Sequence, residues 1–268
     1  MVSRPREGPE RRLALLLEYD GTAYGGSQHQ TNAPTVQGAL QGALSSLTGE
    51  QIRVALAGRT DAGVHAIGQV AAFTTRSRHT AAVVARACNA RLPKDIAVRG
   101  AESVPLGFNP RRSATGRWYR YTVCLRKHRP ALLRNRVWHL DREIDLSGME
   151  AAAQALVGTW DFAAFAPPSE ARRGSTERRI TRVGLTQGAG RLVHFDIEGN
   201  AFMRHMVRRL TAALVDVGTG KRSREEFATL LRDAKPGAAT GMAPARGLCL
   251  MKVRYESGLF DHETHEDI

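Results

Sequence analysis

Cysteine is scarce in this chain of 268 residues: only Cys88, Cys124 and Cys249 occur. They are dispersed and form no CxxC pair, which argues against a disulfide framework and a cysteine-based zinc site and leaves them as reduced packing residues. Lysine is nearly as rare, confined to Lys94, Lys127, Lys221, Lys235 and Lys252. No apolar run approaches the roughly 20 residues that cross a bilayer. Residues 1–12 are polar and charged with two prolines and lack the apolar segment of a signal peptide, so a cytoplasmic protein without a membrane partner is expected. GxGxxG and Walker loops are missing, as is any cluster with metal-ligand spacing; neither nucleotide cofactor nor metal is expected. His262 and His265 in the acidic tail admit a metal pair, but solvated charge is the plainer reading.

What the chain has in excess is arginine. Lys plus Arg number 39 against 26 acids, a net charge of +13 that favours a polyanionic partner, nucleic acid or an anionic membrane. Guanidinium groups suit bidentate phosphate contacts and stacking on bases. A GC-rich genome accounts for arginine in place of lysine but not for the net excess, so nucleic acid is the better reading. Hydrophobic content of 42% is that of a soluble chain able to bury a core, as one large domain or two ordinary ones.

The chain is organised around Gly58-Arg59-Thr60-Asp61-Ala62-Gly63-Val64-His65-Ala66. Strand-like runs flank it, Ile52-Arg53-Val54-Ala55-Leu56-Ala57 before and Gln69-Val70-Ala71-Ala72-Phe73-Thr74 after. Glycines three residues before Asp61 and two after allow a tight path and close approach of a ligand. Arg59 and His65 put cationic partners near in sequence, and a carboxylate beside fixed positive charge stays ionised. That suits a nucleophile or general base. An Asx-turn, with Asp61 capping its own backbone, fits the same loop; from the loop alone both readings stay open.

Along the chain, residues 1–11 read as a basic tail and 12–19 as a strand with Leu13, Leu15, Leu17 and Tyr19 on one face. Thr35 is a plausible N-cap for a helix carrying Val36, Leu40, Leu44 and Leu47 up to Gly49. The two strands around Asp61, a helix over 81–91 and a strand from Asp95 to Val104 complete a β-α-β-β-α-β pattern over 12–106. A crossover near Phe108 leads to a second α/β domain over 112–256. It holds a strand from Arg117 to Leu125, a helix between Ser147 and Gly158, a basic loop over 166–179, strands over 179–187 and 190–198, and a helix with Phe202, Met206, Leu210, Leu214 and Val217. Ser223 and Glu226 form a capping box, and a last strand ends at Tyr255 before a tail over 257–268. Tyr121 and Val123 read as core.

Arg59-Thr60-Asp61-Ala62-Gly63-Val64-His65 resembles the signature loop of the tRNA pseudouridine synthase A family. Further stretches are similar to that family in the same order: Glu18-Tyr19-Asp20-Gly21-Thr22, Asn89 to Val98, the R-x-Y-x-Y run from Arg117, Asn200-Ala201-Phe202-Met203 through Arg208, and Pro244-Ala245-Arg246-Gly247-Leu248. The resemblance runs from about Leu13 to Tyr255. It implies an α+β pseudouridine synthase fold: two α/β domains sharing an extended, mostly antiparallel sheet, with helices packed on it and a central cleft. It also implies roles. Asp61 is the catalytic residue, Tyr119 lies against the target base, Arg208 reaches the carboxylate, and Leu248 lines the base pocket. Arg178 stands in an S/T-x-x-R segment beside the cleft, and Arg59 fills the vacancy left by a flipped base or holds phosphate. The implied substrate is uridine in the anticodon stem-loop of tRNA, at positions 38 to 40, turned over by a homodimer without cofactor or metal. Attack at C1′, attack at C6 and a glycal route all use one carboxylate. The chain departs from the family at Ser27, usually tryptophan, at Asn109, Pro110 and Arg112 in the crossover, and at Trp160, usually histidine.

Two rivals share some of these features. A non-catalytic RNA-binding protein on the same scaffold uses the same charge and aromatic strand, but has no need of an ionised carboxylate facing a polyanion. An Asp-dependent hydrolase needs a second carboxylate or a metal cluster, and neither is evident.

Overall fold

The computed structural model describes residues 7–172 and 174–262. Strand β1 (Glu7–Tyr19) opens the order, followed by α1 (Val36–Thr48), β2 (Val54–Leu56), β3 (His65–Ser77), α2 (Ala81–Asn89) and β4 (Ile96–Val104). Next come β5 (Ala114–Cys124), β6 (Trp138–His139), α3 (Leu146–Gln154), β7 (Gly158–Asp161), α4 (Pro168–Ala171) and β8 (Glu177–Gly188). Strand β9 (Leu192–Gly199), α5 (Met206–Gly218), α6 (Arg224–Asp233) and β10 (Leu248–Tyr255) close it. The class is α+β, as the sequence leads one to expect. By packing, residues up to Thr115 and from Leu250 onward form one unit, and Gly116–Cys249 the other.

In the first unit the strands lie in the order β4–β1–β3–β10, with β2 also paired to β3. Antiparallel pairing sets Leu13 opposite Phe73, Leu15 opposite Ala71 and Leu17 opposite Gln69. The alternation in β1 is present, yet Ala14 and Leu16 are buried too, so both faces of this strand are covered. Strand β3 is buried without interruption from His65 to Phe73, the continuous run of a strand covered on both faces. Helix α1 starts where Thr35 accepts the Gly38 N–H and stops at Gly49 in the left-handed region, φ 72°. Its buried stripe is Val36, Leu40 and Leu44.

Parts of both expected tails are structured. Residues 7–11 belong to β1, held by Arg11 Nε donating to the Ser77 carbonyl at 2.9 Å. At the other end Leu259 and Phe260 are buried, and Lys252 Nζ meets Asp261 at 2.8 Å. Two apolar side chains in an otherwise acidic segment suffice to fold it back. His265 lies outside the described residues. The last strand, grouped by sequence with the second half, packs from Leu250 onward with the first unit.

The second unit is built on β5–β9–β8–β7. Tyr119 pairs with Ile197 and Tyr121 with Phe195 across β5 and β9. Strand β8 runs antiparallel to both β9 and β7, whereas the short β6 runs parallel to β5. Helices α3, α5 and α6 pack on one another, and α3 also on β8. Fully buried Tyr121, Phe195, Met149, Phe162, Phe165 and Phe227 form its core. Helix α3 starts from Asp145, whose carboxylate accepts the Gly148 N–H, and ends at Gln154. The Ser223–Glu226 capping box of α6 is formed. Helix α5 begins at Met206, one turn later than the apolar spacing suggests, because His205 adopts a left-handed φ of 63°. Phe202 therefore lies before the helix.

Gly68 in β3 faces the Met251 backbone so closely that any Cβ would collide with the Met251 carbonyl. Gly68→Ala is expected to cost about 1–3 kcal/mol or more, since backbone rather than a mobile side chain must yield. A lowered urea midpoint is the readout, and an unchanged midpoint would contradict this packing.

Candidate active site

The Asp61 loop joins β2 to β3, whose pairing ends with the Ala57 N–H donating to the Val70 carbonyl at 2.8 Å. Past that rung the chain leaves the ladder, and its backbone groups need other partners. Gln69, fully buried within β3, supplies two. Its amide oxygen accepts the Gly58 N–H at 3.1 Å, and its NH2 donates to the Gly58 carbonyl at 2.8 Å. The same NH2 lies 3.3 Å from the Tyr19 hydroxyl, which meets Thr60 Oγ1 at 2.9 Å. Ser27 takes Thr60 from the other side: its Oγ accepts the Thr60 N–H at 2.8 Å and its own N–H donates to the Thr60 carbonyl at 3.1 Å. Asp61, half-buried, closes a turn by accepting the Val64 N–H at 3.1 Å through its main-chain carbonyl, with Gly63 at φ 77°. Arg59 is exposed.

The loop after β1 reinforces this arrangement. A Cβ at Gly21 would collide with the Val64 carbonyl, so only glycine permits this approach. The Gly21 N–H donates to His65 Nδ1 at 3.1 Å, while Asp20 Oδ1 lies 3.2 Å from the same nitrogen. These two contacts demand opposite protonation of Nδ1. The backbone donor has a fixed hydrogen, and Asp20 Oδ1 already accepts from Thr22 N and Oγ1, so we read Nδ1 as an acceptor. His65, read from sequence as a possible cation, acts in this arrangement as a buried anchor.

Tyr119, Arg208, Leu248 and Arg178 all belong to the second unit. The Tyr119 ring is buried and meets Phe202 edge-on, centroids 5.2 Å apart. Phe202 is free to do this because α5 has not yet begun, and Asn200 fixes its turn by accepting the N–H groups of Ala201 at 2.8 Å and Arg179 at 3.0 Å. Arg208 Nε donates to the Ala243 carbonyl at 2.8 Å, and the Ala243 N–H returns to the Arg208 carbonyl. Next along, the Pro244 carbonyl accepts the Tyr121 hydroxyl at 2.7 Å. A Cβ at Gly247 would stand 2.6 Å from the Tyr121 ring. The segment leading to buried Leu248 is thus held by Arg208 and Tyr121 together.

Arg178 donates through Nη1 to the carbonyls of Ser175 at 2.8 Å and Glu177 at 2.6 Å. Its Nε is buried without a partner, and burial lowers the guanidinium pKa, with nearby Glu170 opposing. On the opposite face of β5 Trp118 lies between two guanidinium groups, Arg120 at 5.6 Å and Arg182 at 5.5 Å. Asp196 accepts from Trp118 Nε1 at 2.7 Å and pairs with Arg120 at 3.0 Å. Trp118 and Arg120 of this strand are therefore matched with one acid, Asp196.

Sequence reading named Ser27 only as a departure from the family, and missed Gln69 and the Tyr121 hydroxyl. A glutamine inside an apolar strand was the available sign for Gln69. It also passed over residues 126–136, where Lys127, Arg129, Arg134 and Arg136 are exposed beside Leu132, itself 95% exposed, with no acid among them. Among the described residues no group of His, Cys, Asp and Glu is placed to hold a metal ion, and no helix is long and apolar enough to cross a membrane.

An arginine-rich α+β chain with a carboxylate in so firmly held a loop joins a charge suited to a polyanion with a fixed acidic group. The tRNA pseudouridine synthase family matches residues 16–111 and 152–256. Curated relatives named tRNA pseudouridine synthase A share 45% identity over 92% of this chain and 98% of the protein from Citrifermentans bemidjiense, and 46% over 91% of both chains for Roseiflexus castenholzii. For the relative of that name from Geobacter sulfurreducens the identity is 42%, over 91% of this chain and all of that protein. The chain belongs to the tRNA pseudouridine synthase family.

Burial raises the Tyr121 pKa above its ordinary 10.0, against the lowering effect of Arg208 and Arg246. The native state then keeps a proton that the unfolded chain loses, so stability present below about pH 10 falls as pH rises past it. Tyr121→Phe is expected to flatten that alkaline fall, while costing about 1 kcal/mol at neutral pH for the lost bond to Pro244. Urea titrations at neutral and alkaline pH check both, and an unaltered alkaline slope would count against the burial argument.

Proposed function

We propose that this chain converts uridine to pseudouridine in the anticodon stem-loop of tRNA, with Asp61 as the catalytic nucleophile. The N1–C1′ bond breaks, the base turns, and C5 bonds to C1′; C5 gives up its proton and N1 gains one. The reaction is an isomerisation and needs no external oxidant or group donor. A uridine inside a stem must first leave the stack, at a cost of a few kcal/mol. Asp61 attacks the flipped nucleoside as the ionised carboxylate. Tyr119 stacks on the uracil and takes the C5 proton. Arg208 orients Asp61, Leu248 lines the base pocket, Arg178 contacts the backbone, and Arg59 fills the gap in the stem. The functional form is a cytoplasmic homodimer whose basic surface grips the tRNA body, since A-form RNA is recognised largely by shape.

One observation carries the assignment of Asp61: the residue before it is bonded through its N–H, carbonyl and hydroxyl, an arrangement that fixes where a carboxylate emerges. A protein that only binds RNA gains nothing by presenting a fixed negative charge to a polyanion. The net charge of +13 and the acid-free segment at 126–136 support a phosphate-gripping surface.

Asp61→Asn is expected to lower turnover by about 10⁴-fold or more while tRNA affinity stays within about threefold. Pseudouridine formed in a tRNA transcript and filter binding measure the two; activity within tenfold of wild type would sink the assignment. Affinity should also fall steeply with salt, by about 0.7–0.9 logarithmic units per tenfold of salt for each phosphate contact. Replacing Lys127 and Arg129 by alanine should make that slope shallower, and an unchanged slope removes their segment from the RNA path.

A further inference from the structure

Thr60 stands immediately before Asp61, and its fixation depends on one small side chain. The Thr60 N–H donates to Ser27 Oγ at 2.8 Å, its carbonyl accepts the Ser27 N–H at 3.1 Å, and its Oγ1 meets the Tyr19 hydroxyl at 2.9 Å. Ser27 is fully buried and Thr60 is 7% exposed, so water is a poor substitute for either partner. Ser27 is itself tied to α1, because the Gln37 N–H donates to its carbonyl at 3.0 Å. Beside it Gly26 adopts φ 113°, and a Cβ there would stand 3.0 Å from the Thr60 carbonyl. Beyond Thr60 the turn from Asp61 to Val64 is closed through the backbone. With residue 60 bonded at each polar group and the following turn closed, the backbone at Asp61 is held from both sides.

We propose that Ser27 is a positioning residue for the reaction: its hydroxyl, acting through the Thr60 amide, holds the backbone from which the Asp61 carboxylate reaches the nucleoside. The proposal rests on the reading of Asp61 as the nucleophile. Ser27 has no role in holding RNA here; it acts only on where Asp61 stands. A residue needed for packing alone at this point is replaceable by alanine, which is nearly the same size. Alanine, however, leaves the Thr60 N–H without an acceptor in a site closed to water, and the loop then shifts to satisfy it. Misplacement of a reacting group by about 1 Å costs on the order of 100-fold in rate.

The test uses the full chain and a tRNA transcript. For Ser27→Ala the single-turnover rate is expected to fall roughly 10- to 100-fold, with tRNA affinity held within a factor of about three and the thermal melt still cooperative. Tyr19→Phe, which keeps the ring and removes the hydroxyl facing Thr60, is expected to show the same split with a smaller loss. Wild-type rates in Ser27→Ala, or a rate loss matched by an equal loss of affinity, would overturn the proposal. Should Ser27→Ala fail to fold, Tyr19→Phe decides: an undiminished rate there refutes the positioning role. Asp61→Asn is run alongside. If it is active, the nucleophile assignment falls and the proposal with it; if it is dead while Ser27→Ala turns over normally, the positioning role alone is refuted.

Discussion

A buried backbone must find hydrogen-bond partners, and around Asp61 that requirement governs the choice of side chains. Strand β3 is covered along most of its length, yet the loop feeding it abandons the ladder at Ala57. Each amide and carbonyl that leaves the ladder under cover would cost about 1–3 kcal/mol if unpaired. Gln69 and Ser27 meet that demand, from β3 itself and from the approach to α1, while Tyr19 at the end of β1 holds the Thr60 hydroxyl and the Gln69 side chain. The rigidity of the loop follows from satisfying buried polar groups, and any catalytic use of it exploits rigidity already required for folding.

The second unit solves a similar problem by other means. Its segment at 243–248 has no ladder partner at Ala243 or Pro244, and the carbonyls there are taken by Arg208 and Tyr121. An arginine whose Nε is committed to a carbonyl has its fork directed by the backbone. Tyr121 is a case of a core residue by packing that is also a structural tie by its hydroxyl.

Elements set by local chemistry were legible in the sequence. The Thr35 cap, Gly49 stop and Ser223–Glu226 box all formed where their residues indicated. So was the position of the Asp61 loop, because glycine, charge and flanking apolar runs coincide there. What was not legible depends on partners distant in sequence: Ser27 is 33 residues from Thr60, and Tyr121 is 123 residues from Pro244. The start of α5 was misread for a different reason. Apolar spacing continues through Phe202, but His205 takes a left-handed backbone that periodicity does not register. The ends were misread because charge outweighed the short apolar pair Leu259 and Phe260 in the composition.

The first unit is assembled from two stretches of chain, with all of 116–249 intervening between them. A ribosome releasing this polypeptide exposes β1, β3 and β4 long before β10 exists to pair with β3. Through that interval the unit carrying Asp61 has an unfinished sheet edge, the kind of surface that recruits foreign strands. The intervening unit, by contrast, is continuous and has its strands β5 to β9 in hand once Gly199 has emerged. The order of synthesis thus makes the part bearing the carboxylate loop the last to be completed.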